Sequence, residues 1–242
     1  ISQWGHDFRP EYRQLLPVRQ RFPGAVCVAL TATATPRVQQ DITATLDLRN
    51  ENIFVASFDR PNLFIGIQPK VDTVRQILDF LAAHAEQTGI IYCSTQKHVD
   101  DLSRILQEKG LSALPYHAGL DKTVREQNQR AFMVDDARIM VATIAFGMGV
   151  DKPDVRFVLH VDLPQDMESY YQQIGRAGRD GLPAECLLLF GYGDVHTIHH
   201  FINQGAPSEA EGRRERLQTM VSWTESFDCR RKGLLAYFGE SY

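Results

Sequence analysis

Long apolar runs are missing from this chain. The longest, such as Ala25 to Leu30 and Cys186 to Phe190, fall far short of the roughly 20 residues a membrane span requires, so no membrane partner is expected. No signal peptide is read at its start. Charge of one sign is also lacking: 26 Lys and Arg stand against 30 Asp and Glu, a formal net charge of -4. That balance disfavours a generic polyanion binder and leaves nucleic-acid contact to local patches. Cysteine is sparse as well. Cys27, Cys93, Cys186 and Cys229 lie far apart, and the first three fall in apolar, strand-like runs where reduced, buried thiols are expected, which points to a reducing intracellular compartment. The 43% hydrophobic content supports a core, and 242 residues suffice for one or two domains.

What is present is the stretch Glu168 to Gly181, ESYYQQIGRAGRDG. Arg176 and Arg179 are three residues apart and each follows a glycine, Gly175 and Gly178, so a helix would carry both guanidiniums on one face of a nearly bare backbone. Glycine within a helix costs about 1 kcal/mol against alanine. Close approach of a surface bearing negative charge is the physical reason to accept two of them. Arg-x-x-Arg alone also describes an ordinary solvated helix end. With Gln172 three residues before Gly175, however, the pattern resembles motif VI of superfamily 2 helicases and translocases. That resemblance implies two arginines reaching across a cleft to the phosphates of ATP held on a neighbouring domain.

In chain order, the opening decapeptide ISQWGHDFRP sets Trp4, His6, Phe8 and Arg9 on a Gly- and Pro-bounded loop. Such a set suits stacking on bases and pairing with phosphate, with aromatics tucked into a core as the competing reading. Glu11 to Phe22 reads as a helix, Ala25 to Leu30 as a strand, and Thr31 to Pro36 as a hydroxyl-rich turn at the strand end where open α/β sheets place functional groups. Thr35 followed by Pro36 fits the cap and first position of a helix to Leu46. Ile53 to Ser57 and Leu63 to Ile67 read as strands around Asp59-Arg60-Pro61-Asn62. From about Lys70 the alternation becomes that of a parallel α/β domain. Helices are expected over 71–85, 97–108 and 123–132, and strands over 89–93, about Leu114, 138–142, 155–160 and 186–190. Turns with chemical interest end these strands: Ser94-Thr95, His117-Ala118-Gly119, and Thr143 to Pro153, in which Gly147 and Gly149 flank Met148 and keep the backbone close to whatever it touches. Beyond Gly191 the pattern is helical, ending in the segment from Cys229.

These motifs together resemble the RecQ family of DNA helicases. The decapeptide is similar to the family's aromatic-rich loop, Thr31 to Pro36 to motif III, Ser94-Thr95 and His117 to Gly119 to the motif IV region and the turn after it, Thr143 to Pro153 to motif V, and the Cys229 segment to the opening of the zinc-binding subdomain. The resemblance implies an α/β fold of RecA-like parallel-sheet domains with helices on both faces, followed by a helical start of a zinc-binding subdomain. The expected boundaries are 1–69 for the C-terminal part of a first motor domain, 70–203 for the second motor domain, and 204–242 for the zinc subdomain's start.

By the same resemblance the parent is an ATP-driven helicase that unwinds DNA in the 3′-to-5′ direction, in repair and recombination. Arg176, Arg179 and Gln172 serve its catalysis, and Asp151 and Gly149 its nucleotide. Trp4, His6, Phe8, Arg9, Ser94, His117, Gly119 and Thr143 hold single-stranded or partly duplex DNA. Cys229 is the first of four zinc ligands, the others expected beyond Tyr242. ATP and Mg²⁺ require an upstream domain, and a single-stranded-DNA-binding protein is a further expected partner of the parent. A nucleoid location is expected in a bacterium, a nuclear one in a eukaryote. The departure from the family is that neither Gly-x-x-x-x-Gly-Lys-Ser/Thr nor Asp-Glu-x-His occurs, so these residues alone are expected to be inactive. Another superfamily 2 ATPase, such as an RNA helicase, and a non-catalytic RecA-like module remain the competing readings.

Overall fold

The computed structural model describes residues 15–48, 52–147 and 150–242. The chain divides into two compact units, one formed by Ile1–Asp59 with Arg231–Tyr242 and the other by Arg60–Arg230.

In the first unit, α1 (Leu15–Arg21) precedes α2 (Pro36–Thr45). The second helix starts where its sequence dictates: the Thr35 side chain accepts from the Val38 amide at 3.5 Å, and Pro36, whose missing N–H costs nothing at a helix start, follows it. The strands expected over Ala25–Leu30 and Ile53–Ser57 do not form, and neither segment has regular structure. The apolar runs are there, but a strand exists only through a hydrogen-bonded neighbour. No such neighbour is found among the described residues of this unit, so Val26, Leu30 and Phe54 are about nine-tenths exposed. Cys27 accordingly lies outside any sheet. The C-terminal residues complete the unit. Phe238 stacks on Phe58 with ring centroids 4.5 Å apart, and the Glu240 carboxylate accepts from Ser57 Oγ at 2.5 Å and the Phe58 amide at 2.7 Å. Arg231 pairs with Asp59 at 2.5 Å.

The second unit is a six-stranded sheet with spatial order β1-β6-β5-β2-β4-β3, all pairs parallel. In chain order its elements are β1 (Leu63–Pro69), α3 (Thr73–Ala83), β2 (Gly89–Tyr92), α4 (Gln96–Glu108), β3 (Ala113–Tyr116), α5 (Lys122–Met133), β4 (Ile139–Ala142), β5 (Phe157–His160), α6 (Met167–Ile174), β6 (Ala184–Phe190), α7 (Tyr192–Gln204) and α8 (Pro207–Glu225). α9 (Arg230–Tyr237) then leads back to the first unit. β1 pairs with β6 along its whole length, from Leu63 opposite Ala184 to Pro69 opposite Phe190. It therefore belongs to this sheet, and the compact units divide ten residues earlier than the 69/70 boundary drawn from sequence.

Parallel strands are covered on both faces, and the period-2 alternation shows it. Ile91, Val141, Leu159 and Leu187 join Ile77 and Phe80 of α3 and Val99, Leu102 and Leu106 of α4 in one apolar cluster. Their neighbours Ile90, Met140, Val158 and Leu188 point the other way and are buried to the same degree. The consequence for function is positional. A doubly covered parallel sheet leaves the C-terminal ends of its strands as the place where polar side chains can converge.

Candidate functional site

Arg176 and Arg179 do not lie on a helix. α6 ends at Ile174 with Gly175 as its cap, and both arginines sit in the turns that follow. Gly178 adopts a φ of +56°, which side-chain-bearing residues rarely accept. A Cβ there would also stand 2.4 Å from Asn62 Nδ2 and 2.8 Å from the Leu182 carbonyl. Gly178 therefore serves the turn itself. Its backbone is held by the Asp59-to-Asn62 segment: Arg60 donates to the carbonyls of Ala177 at 3.1 Å and Gly178 at 2.8 Å, and Asn62 donates to those of Gly178 at 2.8 Å and Leu182 at 2.9 Å. The sequence contained this group as a turn, without showing that it grips the arginine segment from 117 residues away.

Both arginines point at the Thr143–Pro153 loop. Arg176 donates to the Gly147 carbonyl at 2.6 Å, and Arg179 donates to the Val150 carbonyl at 2.9 Å and to Asp151 Oδ1 at 2.7 Å. Gly147 is needed for this, since a Cβ on it would stand 2.2 Å from the Arg176 guanidinium. The buried Nε of Arg176 has no acceptor among the described residues. The loop is braced at both ends. Tyr92 donates its hydroxyl to the Phe146 carbonyl at 3.0 Å, and burial pushes that phenol up to about 12, so it stays a donor. Lys152, almost fully buried, pairs with Asp135 at 2.8 Å and Asp154 at 3.1 Å. Burial alone would lower its pKa, but the two carboxylates outweigh that and raise it. Composition gave no sign of Lys152, because a lysine beside two aspartates reads as solvated surface.

Behind the site runs a chain of rings. Tyr92 stacks on His160 at 5.3 Å, His160 meets Tyr170 at 5.1 Å, and Tyr170 meets Trp223 at 5.0 Å. His160 Nε2 lies 2.6 Å from Gln173 Oε1, so the buried glutamine of this pair is Gln173, while Gln172 is exposed.

The remaining expected residues fall at other strand ends. Ser94 follows β2, and both its amide and its hydroxyl donate to Asp162 Oδ2, at 2.8 and 3.0 Å. His117 is buried at the end of β3, with Nε2 2.9 Å from Asp100 Oδ1 and Nδ1 accepting from the Gly119 amide at 3.2 Å. Thr143 follows β4 and its hydroxyl caps the Ala145 amide at 3.4 Å. Ser94, His117, Gly119 and Thr143 thus share the C-terminal edge of β2, β3 and β4, which are adjacent in the sheet. Trp4, His6, Phe8, Arg9 and Gly149 lie outside the described residues. Cys229 is an exposed thiol just before α9, and among the described residues no other ligand type joins it in a group able to hold a metal. Cys93 and Cys186 are buried in the second unit.

Residues 69–181 match the family described as Helicase conserved C-terminal domain, and residues 192–242 match the RecQ zinc-binding family. The ATP-dependent DNA helicase RecQ of Pasteurella multocida is 46% identical over 99% of this chain. The chain belongs to the RecQ family. The ATP-dependent DNA helicase hus2/rqh1 of Schizosaccharomyces pombe and the RecQ-like DNA helicase BLM of Xenopus laevis are each 44% identical over the whole chain. This chain spans 38% of the Pasteurella relative and 19% and 18% of the two eukaryotic ones. The helicase match covers β2 to β5 and α6, with both arginines, and the zinc-binding match covers α7 to α9 with Cys229. The chain is thus a C-terminal region of that superfamily 2 helicase family, with the RecA-like parallel fold, and no helix of its described residues is long and apolar enough to cross a membrane.

Proposed function

We propose that this region is the second motor domain and following helical subdomain of an ATP-dependent DNA helicase, which couples ATP hydrolysis to 3′-to-5′ movement along single-stranded DNA and to duplex unwinding. The observation that carries the reading is the docking of Arg176 and Arg179 on the Gly147-to-Asp151 loop, which brings motifs V and VI into one hydrogen-bonded unit. Phosphoryl transfer asks a protein for positioning and for charge placed where the transferred group becomes more negative. Two arginines on a turn pinned by Arg60 and Asn62 can supply that charge to ATP and Mg²⁺ held by a phosphate-loop domain. Asp151 is proposed to serve the nucleotide, and Gln172 to assist from the exposed side of α6. Ser94, His117, Gly119 and Thr143 along the strand ends would hold the backbone of the tracking strand, which carries no sequence information. Trp4, His6, Phe8 and Arg9 are proposed to sense DNA, Gly149 to let a ligand approach the loop, and Cys229 to give one thiolate to a zinc site. A match to the RecQ zinc-binding family weighs against an RNA helicase.

The test is kinetic. In a protein joining these residues to a phosphate-loop domain, Arg176→Ala and Arg179→Ala should each lower DNA-stimulated ATP turnover by roughly 10³ to 10⁵ while nucleotide affinity changes little. A loss below about tenfold in turnover removes that residue from the role.

A further inference from the structure

The reading of Ser94 as a phosphate contact meets a physical obstacle. Its only two donors, the amide and the hydroxyl, both go to Asp162 Oδ2. A carboxylate that consumes both leaves nothing for a phosphate. Four residues further on, His98 Nδ1 approaches that same oxygen at 3.0 Å. This bond fixes the ring: Nδ1 faces the carboxylate, and Nε2 is turned away from it, on a side chain that is about one-third exposed.

Asp162 is itself rigidly placed. It follows β5, and Lys70, which follows β1, bridges it at 3.0 Å to Asp194 at 2.6 Å, in the first turn of α7 after β6. Asp194 in turn accepts from the Leu163 amide at 3.2 Å. Thus a line of charged groups runs along the ends of β1, β6, β5 and β2, which are neighbours in that order. It ends at His98, in the first turn of α4. The charged groups acting on His98 are Asp162, Lys70 and Asp194. The bond to Asp162 raises the pKa of the imidazole, against a smaller lowering from burial, and the same bonds hold the Asp162 carboxyl well below its usual range although burial opposes this. Cys93 Sγ, His98 Nδ1 and Asp162 lie within 4.8 Å of one another, but the Lys70 ammonium already neutralises the carboxylate, so the group is an ion network and not a cation cage.

We propose that His98, oriented by Asp162, is a nucleic-acid contact of this domain, donating from Nε2 to a backbone phosphate of the single strand, while Ser94 serves as the strut that locks the loop. The inference rests on the DNA-tracking reading and moves the phosphate donor from Ser94 to a residue the motifs did not mark. Since Nδ1 gives its proton to the carboxylate, Nε2 has one to donate only when the ring is protonated, so this charge-assisted bond forms as the imidazole takes up a proton.

The experiment is fluorescence anisotropy of a labelled oligothymidylate titrated with this chain and its variants, in two salt concentrations, near pH 6 and near pH 8.5. His98→Gln should weaken binding about tenfold at the acidic pH and lower the slope of log affinity against log salt by about 0.7. At the alkaline pH the gap should close. His98→Lys should restore affinity and slope at both. Binding and salt slope unchanged by His98→Gln overturn the proposal and leave the helicase reading standing. A loss equal at both pH values and not rescued by lysine also overturns it, by assigning His98 to structure alone. Failure of the unaltered chain to bind at either pH sinks the DNA-tracking reading and this proposal with it.

Discussion

His160 shows how a single buried group sets a pH window. The ring is almost fully enclosed by Tyr92, Tyr170 and Gln173, and burial lowers its pKa from 6.5 to about 4. A histidine whose folded pKa is depressed binds its proton more readily in the unfolded chain, so its contribution is fully present above pH 6.5 and is lost as pH falls toward 4. At about 1.4 kcal/mol per unit the loss amounts to roughly 3 kcal/mol. Urea melts between pH 7 and 4.5 should show that fall, and His160→Gln should flatten the curve there. Asp162 acts in a lower window, since its carboxyl is depressed below 3.8 and loses its contribution only as pH falls under that value. A second residue-scale prediction concerns Gly147. The three atoms nearest to a methyl there all belong to the end of the Arg176 side chain, which can swing aside, so Gly147→Ala should leave the melting temperature nearly unchanged. Turnover in a protein with a phosphate-loop domain should nevertheless fall by about 10², the typical effect of a misplacement near 1 Å. Equal turnover would mean that the Arg176–Gly147 contact does not position the guanidinium.

At the scale of elements, the turn after α6 depends on one left-handed residue. Gly178→Ala forces a side chain into a φ of +56° and against Asn62 and Leu182. It should cost about 1–3 kcal/mol by chemical denaturation, whereas Gly181→Ala, with open space around it and a φ of +82°, should pay the conformational cost alone. Equal losses would show that crowding by Asn62 is unimportant. The same element shows the limits of reading a sequence. Gly-Arg-x-Gly-Arg announced close approach correctly in kind, but the approaching surfaces are a carbonyl loop and an asparagine of the same chain, and the arginines follow the helix they were expected to ride. β2, β4, β5 and β6 were legible because short apolar runs ended at turns and alternated with helices. Ala25–Leu30 and Ile53–Ser57 had equally good runs and formed nothing, since pairing is a property of two segments and composition reports on one. The network around Asp162 was invisible for a related reason: Lys70, Ser94, His98, Asp162 and Asp194 come together only through strand order.

At the scale of the molecule, Phe58, Phe238 and Glu240 tie the last residues to the first compact unit. Glu240→Ala removes the acceptor of the Ser57 hydroxyl and the Phe58 amide, so it should raise hydrogen-exchange rates in 52–59 and 231–242 while leaving the sheet strands protected. Uniform loosening of both units would refute that partition. The chain therefore enters the first unit, leaves it after Asp59, builds an entire parallel sheet, and comes back at Arg231. Such an arrangement imposes a schedule on synthesis. The sheet unit has all of its residues once Arg230 clears the ribosome, whereas the unit that includes Phe58 must wait for Phe238 and Glu240 to close it. Of these two units, the one that contributes residues before the sheet is made is the one that closes after it.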